Sequence, residues 1–223
     1  MINLSKRLKT VAKFVLDNNT RKIIDVGCDH ALLDIYLLQN NSNLKIIASD
    51  NKKAPLENAR KNIEKYSFLN KIELSLRDGI DNIDNLIDTI VISGMGMETI
   101  VEILEKNKDR LTNIKRLIIS SNNKYFDLRK KIINLGFKIN REEIVFEDNK
   151  YYIVIEFVKE NISYKEKELY FGPLLLQNKD QLFNDYYLKI KQEKESIINK
   201  LDDNNSKKKE LEKEIKLLNE EIK

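Results

Sequence analysis

The sequence predicts an α/β domain built on a mostly parallel sheet that closes in an antiparallel hairpin, followed by an antiparallel helical hairpin with a coiled-coil seam. Three observations predict it. Short β-branched strand patterns alternate with helical patterns from residue 22 to residue 135, two strand-like runs then follow with no room for a helix between them, and apolar residues return at helical spacing after residue 183. At 223 residues the chain holds one sizeable α/β domain plus an appendage, expected at 1–160 and 161–223.

The elements follow in order. Leu4, Leu8, Val11, Ala12 and Val15 recur at helical spacing, with Lys6, Lys9 and Lys13 off the stripe, so an amphipathic helix leads. Strands read at 22–27, 45–50, 72–78, 89–94 and 116–121; helices read between them at about 31–39, 55–66, 98–107 and 124–135. Pro55 suits the first turn of its helix. Residues 137–144 and 151–158 read as strands joined by a turn-like Glu147-Asp148-Asn149-Lys150, which puts an antiparallel strand into the sheet. Phe183, Tyr187, Ile190, Lys194, Ile197 and Leu201 form one stripe, residues 202–206 break it, and Leu211, Ile215, Leu218 and Ile222 resume it. Arms this short are marginal alone and need packing against something.

Composition narrows the function. A hydrophobic fraction of 41% supports a core, and no apolar run approaches the roughly 18 residues of a membrane span. The first residues lack the apolar stretch of a signal peptide, so a cytoplasmic protein without a membrane partner is expected. Cys28 is the single cysteine and His30 the single histidine, which excludes an internal disulfide and a conventional zinc site; no metal is expected. The net charge of +4 lies wholly in residues 1–160, with 27 basic against 23 acidic groups, although a bias toward Lys, Asn and Ile weakens the argument from charge. Lys6, Arg7, Lys9, Lys13, Arg21 and Lys22 crowd its front, where they serve either as an ordinary solvated face or as phosphate contacts.

In an open parallel sheet the carboxyl ends of the strands form the ligand crevice. Here they carry Asp25 with Gly27, then Asp50, then Asp78 with Gly79, then Ser93-Gly94-Met95-Gly96. Asp50, about 20 residues beyond the first glycine turn, is placed to accept both hydroxyls of a ribose, and Gly27 lets backbone approach the ligand. A dinucleotide needs G-x-G-x-x-G after the first strand, whereas this chain has G-C-D-H-A-L there. The G-M-G-M-E-T at 94–99 follows the fourth strand instead. The ligand that fits is S-adenosylmethionine, which has cationic groups and a ribose but no phosphate.

The blocks L-S-K-R-L (4–8), D-V-G-C-D-H-A-L-L (25–33), S-D-N-K-K-A-P-L-E-N-A (49–59), R-D-G-I (77–80), D-T-I-V-I-S-G-M-G-M-E-T-I (88–100) and Y-F-G-P-L-L (170–175) are in the right order and spacing for a known family. Together they resemble the bacterial tRNA methyltransferases that act on N1 of adenine 22, over nearly the whole chain. That family typically reads D-I-G-S-D-H-A-Y-L in the first block, so Asp25, Gly27, Asp29, His30 and Ala31 match while Cys28 replaces serine. Its G-M-G-G becomes Gly94-Met95-Gly96-Met97, its strand-two glutamate becomes Asp50, and its Q-P-N block appears as Ser120-Ser121-Asn122. The resemblance implies a Rossmann-like class I methyltransferase sheet, S-adenosylmethionine as cofactor and tRNA as partner.

Under that reading Asp25, Gly27, Asp50, Asn51, Asp78, Gly79, Gly94, Met95 and Gly96 hold the cofactor, with Asp78 on the adenine amine. Asp29, His30 and Asn122 face the incoming base, and Lys6 and Arg7 face tRNA phosphate. The missing D/N-P-P-Y/F block after strand four favours a ring nitrogen over an exocyclic amine. Each residue also has a structural reading: Asp29 or His30 as a helix cap, Asp78 as a turn former, Cys28, Met95 and Met97 as packing. The helical hairpin is expected to grip tRNA or to mediate oligomerisation, with a monomer favoured. A methyltransferase for protein or a small molecule, and a non-catalytic adaptor on the same scaffold, are the competing functions.

Overall fold

The structure, a computed structural model, describes residues 2–17, 20–202 and 204–222. Asp203 of the expected interhelical turn, together with Met1 and Lys223 at the expected domain ends, lies outside the described residues. The chain divides into two compact units, Met1–Ser163 and Tyr164–Lys223.

In the first unit β1 (Lys22–Val26), β2 (Lys45–Asp50), β3 (Ile72–Leu76), β4 (Thr89–Ser93) and β5 (Arg116–Ser120) run parallel, while β6 (Phe137–Glu147) and β7 (Lys150–Lys159) form the closing hairpin. The sheet order is β3-β2-β1-β4-β5-β7-β6, the Rossmann-like arrangement with β7 antiparallel to both its neighbours. The chain moves outward from β1 to β3 and then returns to the other side of β1 at β4. That reversal opens a crevice at the β1 and β4 carboxyl ends.

The central strands are near-continuous apolar runs because both sheet faces are covered: Ile23, Ile24, Ile90, Val91 and Ile92 are all fully buried. Helices α1 (Lys6–Leu16), α2 (Leu32–Asn40), α3 (Lys53–Lys65), α4 (Met97–Lys106) and α5 (Tyr125–Asn134) connect or flank them. Ser5 caps α1 by accepting the Leu8 amide at 3.2 Å, and the helix, which starts after Leu4, buries Val11, Ala12 and Val15 of its predicted stripe together with Thr10 and Phe14 and leaves Leu8 half-buried. A 3-10 turn at Lys108–Thr112 precedes β5. The hairpin strands run longer than expected because Asp148 and Asn149 alone make the turn, at φ 49° and 58°. Asp and Asn tolerate the left-handed conformation that a two-residue turn requires.

In the second unit, two short helices went unread in the sequence: α6 (Glu166–Phe171) and α7 (Pro173–Gln177), hinged at Gly172 with φ 90°. Pro173 opens α7, where its missing amide costs nothing. Then α8 (Gln181–Ile198) and α9 (Ser206–Glu221) pack antiparallel, with Lys194 joined to Glu214 and Lys179 to Glu221. Phe171, Phe183 and Tyr187 form an aromatic nest with ring centroids 4.7–5.9 Å apart, and Tyr187 Oη donates to the Phe171 carbonyl at 2.8 Å. The predicted stripe holds at Phe183, Tyr187, Leu211 and Leu218 but not at Ile197, which is 40% exposed. An α-helix drifts relative to a strict seven-residue repeat, so by the end of α8 half-buried Ile198 has taken the inward direction.

Candidate functional site

A cleft of about 730 Å³ lies at the carboxyl ends of β1 to β4. It is lined by Asp25, Gly27, Asp29, His30, Asp50, Asn51, Asp78, Gly79, Gly94, Met95 and Arg7 among the residues expected from sequence. Lys6, Gly96 and Asn122 are not among its lining residues. Gly96 is instead the residue before α4, where the Met97 amide donates to Asn123 Oδ1 at 3.0 Å. The two-glycine spacing therefore reflects a helix start at its second position rather than a second wall residue.

The first turn is built by backbone. The Gly27 and Cys28 amides donate to the Ser49 carbonyl at 2.8 and 3.0 Å, and the Ala31 amide returns to the Cys28 carbonyl at 2.8 Å. Gly27 (φ 77°), Asp29 (φ 49°) and Ala31 (φ 53°) are all left-handed. For the two non-glycine residues this costs about 1 kcal/mol or more each, strain of a kind concentrated at functional turns. Ala31, in the left-handed conformation, is the residue before α2, so the helix starts one residue later than expected and neither Asp29 nor His30 serves as its cap. The turn projects Asp29 and His30 outward at the cleft, 70% and 49% exposed, with Nε2 of His30 3.6 Å from Oδ2 of Asp29. Asn62 Nδ2 donates to the His30 carbonyl at 2.9 Å and fixes the turn from α3.

The acids differ in environment. Asp25 is 5% exposed, and burial, then the charge of Asp50, raises its carboxyl to about 7. Asp50 is half-buried and accepts the Lys52 amide at 3.0 Å. Asp78 is held by Lys106 Nζ at 2.7 Å, an amine that also reaches Asp81 at 3.5 Å. Beside it, Gly79 packs so tightly on Ile103 that a Cβ there would stand 2.7 Å from Cγ2.

At the β4 end, Gly94 (φ 90°) leaves its open side toward Arg7. The Arg7 guanidinium lies 4.7 Å over the Tyr152 ring and donates to Asn122 Oδ1 at 3.5 Å, while Asn122 Nδ2 donates to the Gly94 carbonyl at 2.6 Å. Asn122 thus spends both ends of its amide on neighbours. The Met95 methyl packs on Gly27, where a Cβ would approach it to 2.3 Å.

Sequence reading missed Asp34 and Lys106. Asp34 on α2 is fully buried, neither carboxylate oxygen has a hydrogen-bond partner in another of the described residues, and burial followed by the Asp25 charge keeps its carboxyl well above the usual range. Its signal was visible as one acid inside the apolar run L-L-D-I-Y-L-L. Burial and the Asp25, Asp34 and Asp50 charges also push the Cys28 thiol up, so this buried cysteine is no ready nucleophile. Among the described residues there is no cluster of His, Cys, Asp and Glu that could hold a metal, and no helix long and apolar enough to cross a membrane.

Comparison with known families matches residues 23–221 to the family described as tRNA (adenine(22)-N(1))-methyltransferase. The enzyme of that description from Bacillus subtilis (strain 168) is 31% identical over 234 residues, covering 99% of this chain and 98% of the relative. Among solved structures, M. capricolum TrmK in complex with S-adenosyl-homocysteine is 35% identical, with a TM-score of 0.87 over 97% of this chain and 96% of that one. The Streptococcus pneumoniae Sp1610 structure in complex with S-adenosyl-L-methionine is 29% identical, with a TM-score of 0.90 over 99% and 100% of the two chains.

Proposed function

Because the chain belongs to the tRNA (adenine(22)-N(1))-methyltransferase family, we propose that it methylates N1 of adenine 22 in tRNA with S-adenosylmethionine as donor. The observation that carries this reading is the row of acids at successive strand ends, Asp25, Asp50 and Asp78, facing one cleft in a chain whose relatives hold S-adenosylmethionine or its product. The donor set fits that group. Buried Asp25 suits a cation, Asp50 suits a ribose diol, and the buried Ser93 hydroxyl at the cleft wall has no partner among the described residues.

When bound, S-adenosylmethionine supplies an electrophilic methyl group. The chain's task is alignment, which can lower a barrier by about 7 to 11 kcal/mol. N1 of adenine carries an in-plane lone pair, so no strong base is required. It lies on the pairing edge, so the base must leave its stack or pair at a cost of a few kcal/mol. The exposed pair Asp29 and His30 at the cleft supports a role in receiving that base. The Asp29 carboxylate would stabilise the positive charge that develops on the ring, and His30 would orient it. Asp78, Gly79, Asn51, Gly94 and Met95 complete the cofactor seat in this reading.

For tRNA, exposed Lys6 at the start of α1 is a phosphate contact, and α9 adds Lys207, Lys208, Lys209, Lys213 and Lys216 in the helical hairpin. The test is to incubate the protein with unmodified tRNA and methyl-labelled S-adenosylmethionine and to map the label after nuclease digestion. Label on N1 of adenine 22 is expected; unlabelled tRNA, or label on an exocyclic nitrogen, overturns the reading. Labelled protein or small molecules in the absence of RNA would favour a different methyltransferase.

A further inference from the structure

We propose that Phe146 and Tyr151, a ring pair at the tip of the β6–β7 hairpin, form a stacking platform for a tRNA nucleotide that neighbours the target base, with Lys6 and Lys150 against its phosphates. This rests on the tRNA methylation reading, but the surface lies outside the cleft, which neither ring lines. Drawing the target adenine out of the tRNA breaks its stack with its neighbours. A ring at the cleft rim that takes over the exposed face of one neighbour offsets that cost and steadies the opened strand.

The sheet places the pair at that rim. β7 is antiparallel to β5, so β7 starts at the sheet end where β5 finishes, the end that carries the cleft. The last paired residues there are Ile119 and Ile155, and the tip of the hairpin overhangs that level. In the sheet order β7 is two strands from β4, a displacement of about 10 Å at ordinary strand spacing. Nucleotides that flank a base seated in the cleft can span it. Tyr152 makes the surface continuous: its ring supports the Arg7 guanidinium at 4.7 Å, and Arg7 lines the cleft.

The chemistry of the tip suits a nucleic acid. Phe146 stands directly opposite Tyr151 across the hairpin, with ring centroids 4.6 Å apart and planes tilted by 40°. At 38% it is the one exposed aromatic side chain among the described residues. A lone exposed apolar residue calls for no explanation; a cross-strand ring pair between cations does. Exposed Lys6 donates from Nζ to the Phe146 carbonyl at 3.5 Å, and exposed Lys150 precedes Tyr151. Glu147 is committed to the backbone amides of Lys6 and Arg7 at 2.5 and 3.4 Å, which leaves Asp148 as the remaining acid of the turn. Rings flanked by lysines fit a polyanion whose bases present π faces. A protein partner would use the rings without needing the lysines, and the cleft beside them receives a nucleic acid in the reading above.

The test uses the full chain and tRNA carrying 2-aminopurine, a base whose fluorescence falls on stacking, in place of the nucleotide on either side of the target. Wild-type protein should quench the probe at one of these positions, and Phe146→Ala and Tyr151→Ala should restore its emission. Each should also weaken tRNA binding by about fivefold to a hundredfold. S-adenosylmethionine binding should stay within about twofold, which certifies the fold of each variant. Phe146→Tyr and Tyr151→Phe keep a ring and should keep quench and affinity, whereas Phe146→Leu keeps only apolar bulk and should lose both. Lys6→Gln and Lys150→Gln should each lower the slope of affinity against salt by about one, while the ring variants leave that slope alone. An unquenched probe at both positions, alanine variants with wild-type tRNA affinity, or Phe146→Leu with full affinity overturns the platform. So does sedimentation that finds wild-type protein dimeric and Phe146→Ala monomeric with tRNA affinity unmoved, which would give the pair to a second copy. Wild-type protein that leaves N1 of the target adenine unmethylated would instead sink the underlying reading of the cleft.

Discussion

Asp25 at the β1 end and Asp50 at the β2 end face one cleft from adjacent strands, and burial together with the Asp50 charge raises the Asp25 carboxyl to about 7. An acid that keeps its proton in the folded state gives up stability as pH rises from its ordinary value of 3.8 toward about 7, and the loss is complete above that. A cationic ligand group reverses the preference, because it favours ionised Asp25. Cofactor affinity should therefore rise through about pH 7, and Asp25→Asn should flatten the rise. Calorimetric titrations between about pH 5.5 and 8.5 check this; a wild-type profile without an inflection near 7 counts against it.

Asp34 gives a stability prediction of definite sign. Its carboxyl is raised well above 3.8 by burial and by Asp25, so at neutral pH the fold bears the cost of withholding ionisation from it. Asn has nearly the shape of the protonated acid and no charge to withhold. Asp34→Asn should raise the melting temperature at neutral pH, with a gain that shrinks as pH falls toward 4. Melts across that range decide it, and a variant less stable than wild type at pH 7.5 would show that an ionised Asp34 is needed.

The parallel sheet was legible because alternating helix and strand periodicities leave few topologies, and the site was legible because such a sheet exposes its strand ends at the β1/β4 reversal. Asp25, Asp50 and Asp78 were found that way. What stayed hidden depends on side chains meeting from distant segments. Arg7 reads as one of six front-end cations, and only packing on Tyr152 and Asn122 turns it into the cleft. Lys106 reads as the end of a helix, yet it anchors Asp78 across 28 residues. Gly96 reads like Gly94, although one opens the cleft wall and the other begins α4. Helices as short as α6 and α7 carry too few turns to show a period.

Gly27 and Gly79 should fail differently when each is changed to Ala. Both lie at positive φ, at 77° and 59°, so each change costs about 1 to 2 kcal/mol in backbone strain. At Gly27 the added methyl meets only the flexible end of Met95, at 2.3 Å, and enters the turn proposed to hold the cofactor. At Gly79 it meets the branched Ile103 side chain at 2.7 Å, where the atom cannot swing away. Gly79→Ala should therefore lose more denaturant stability, and Gly27→Ala should lose more cofactor affinity per unit of stability lost. Equal ratios in the two variants would contradict the packing argument.

Asp50 and Asp29 should separate binding from turnover. Asp50→Ala removes the proposed ribose acceptor and should weaken S-adenosylmethionine by about tenfold to a hundredfold. Asp29 is 70% exposed and left-handed at φ 49°, so an Ala substitution would mix backbone strain with loss of charge. Asn tolerates that conformation and keeps the shape, which leaves the charge as the variable. Asp29→Asn should lower kcat by about a hundredfold while cofactor affinity stays within about twofold, as expected for a group that acts mainly where charge develops. The melting temperature should not move. A variant with normal turnover would return Asp29 to a turn-forming role and leave the incoming base to His30.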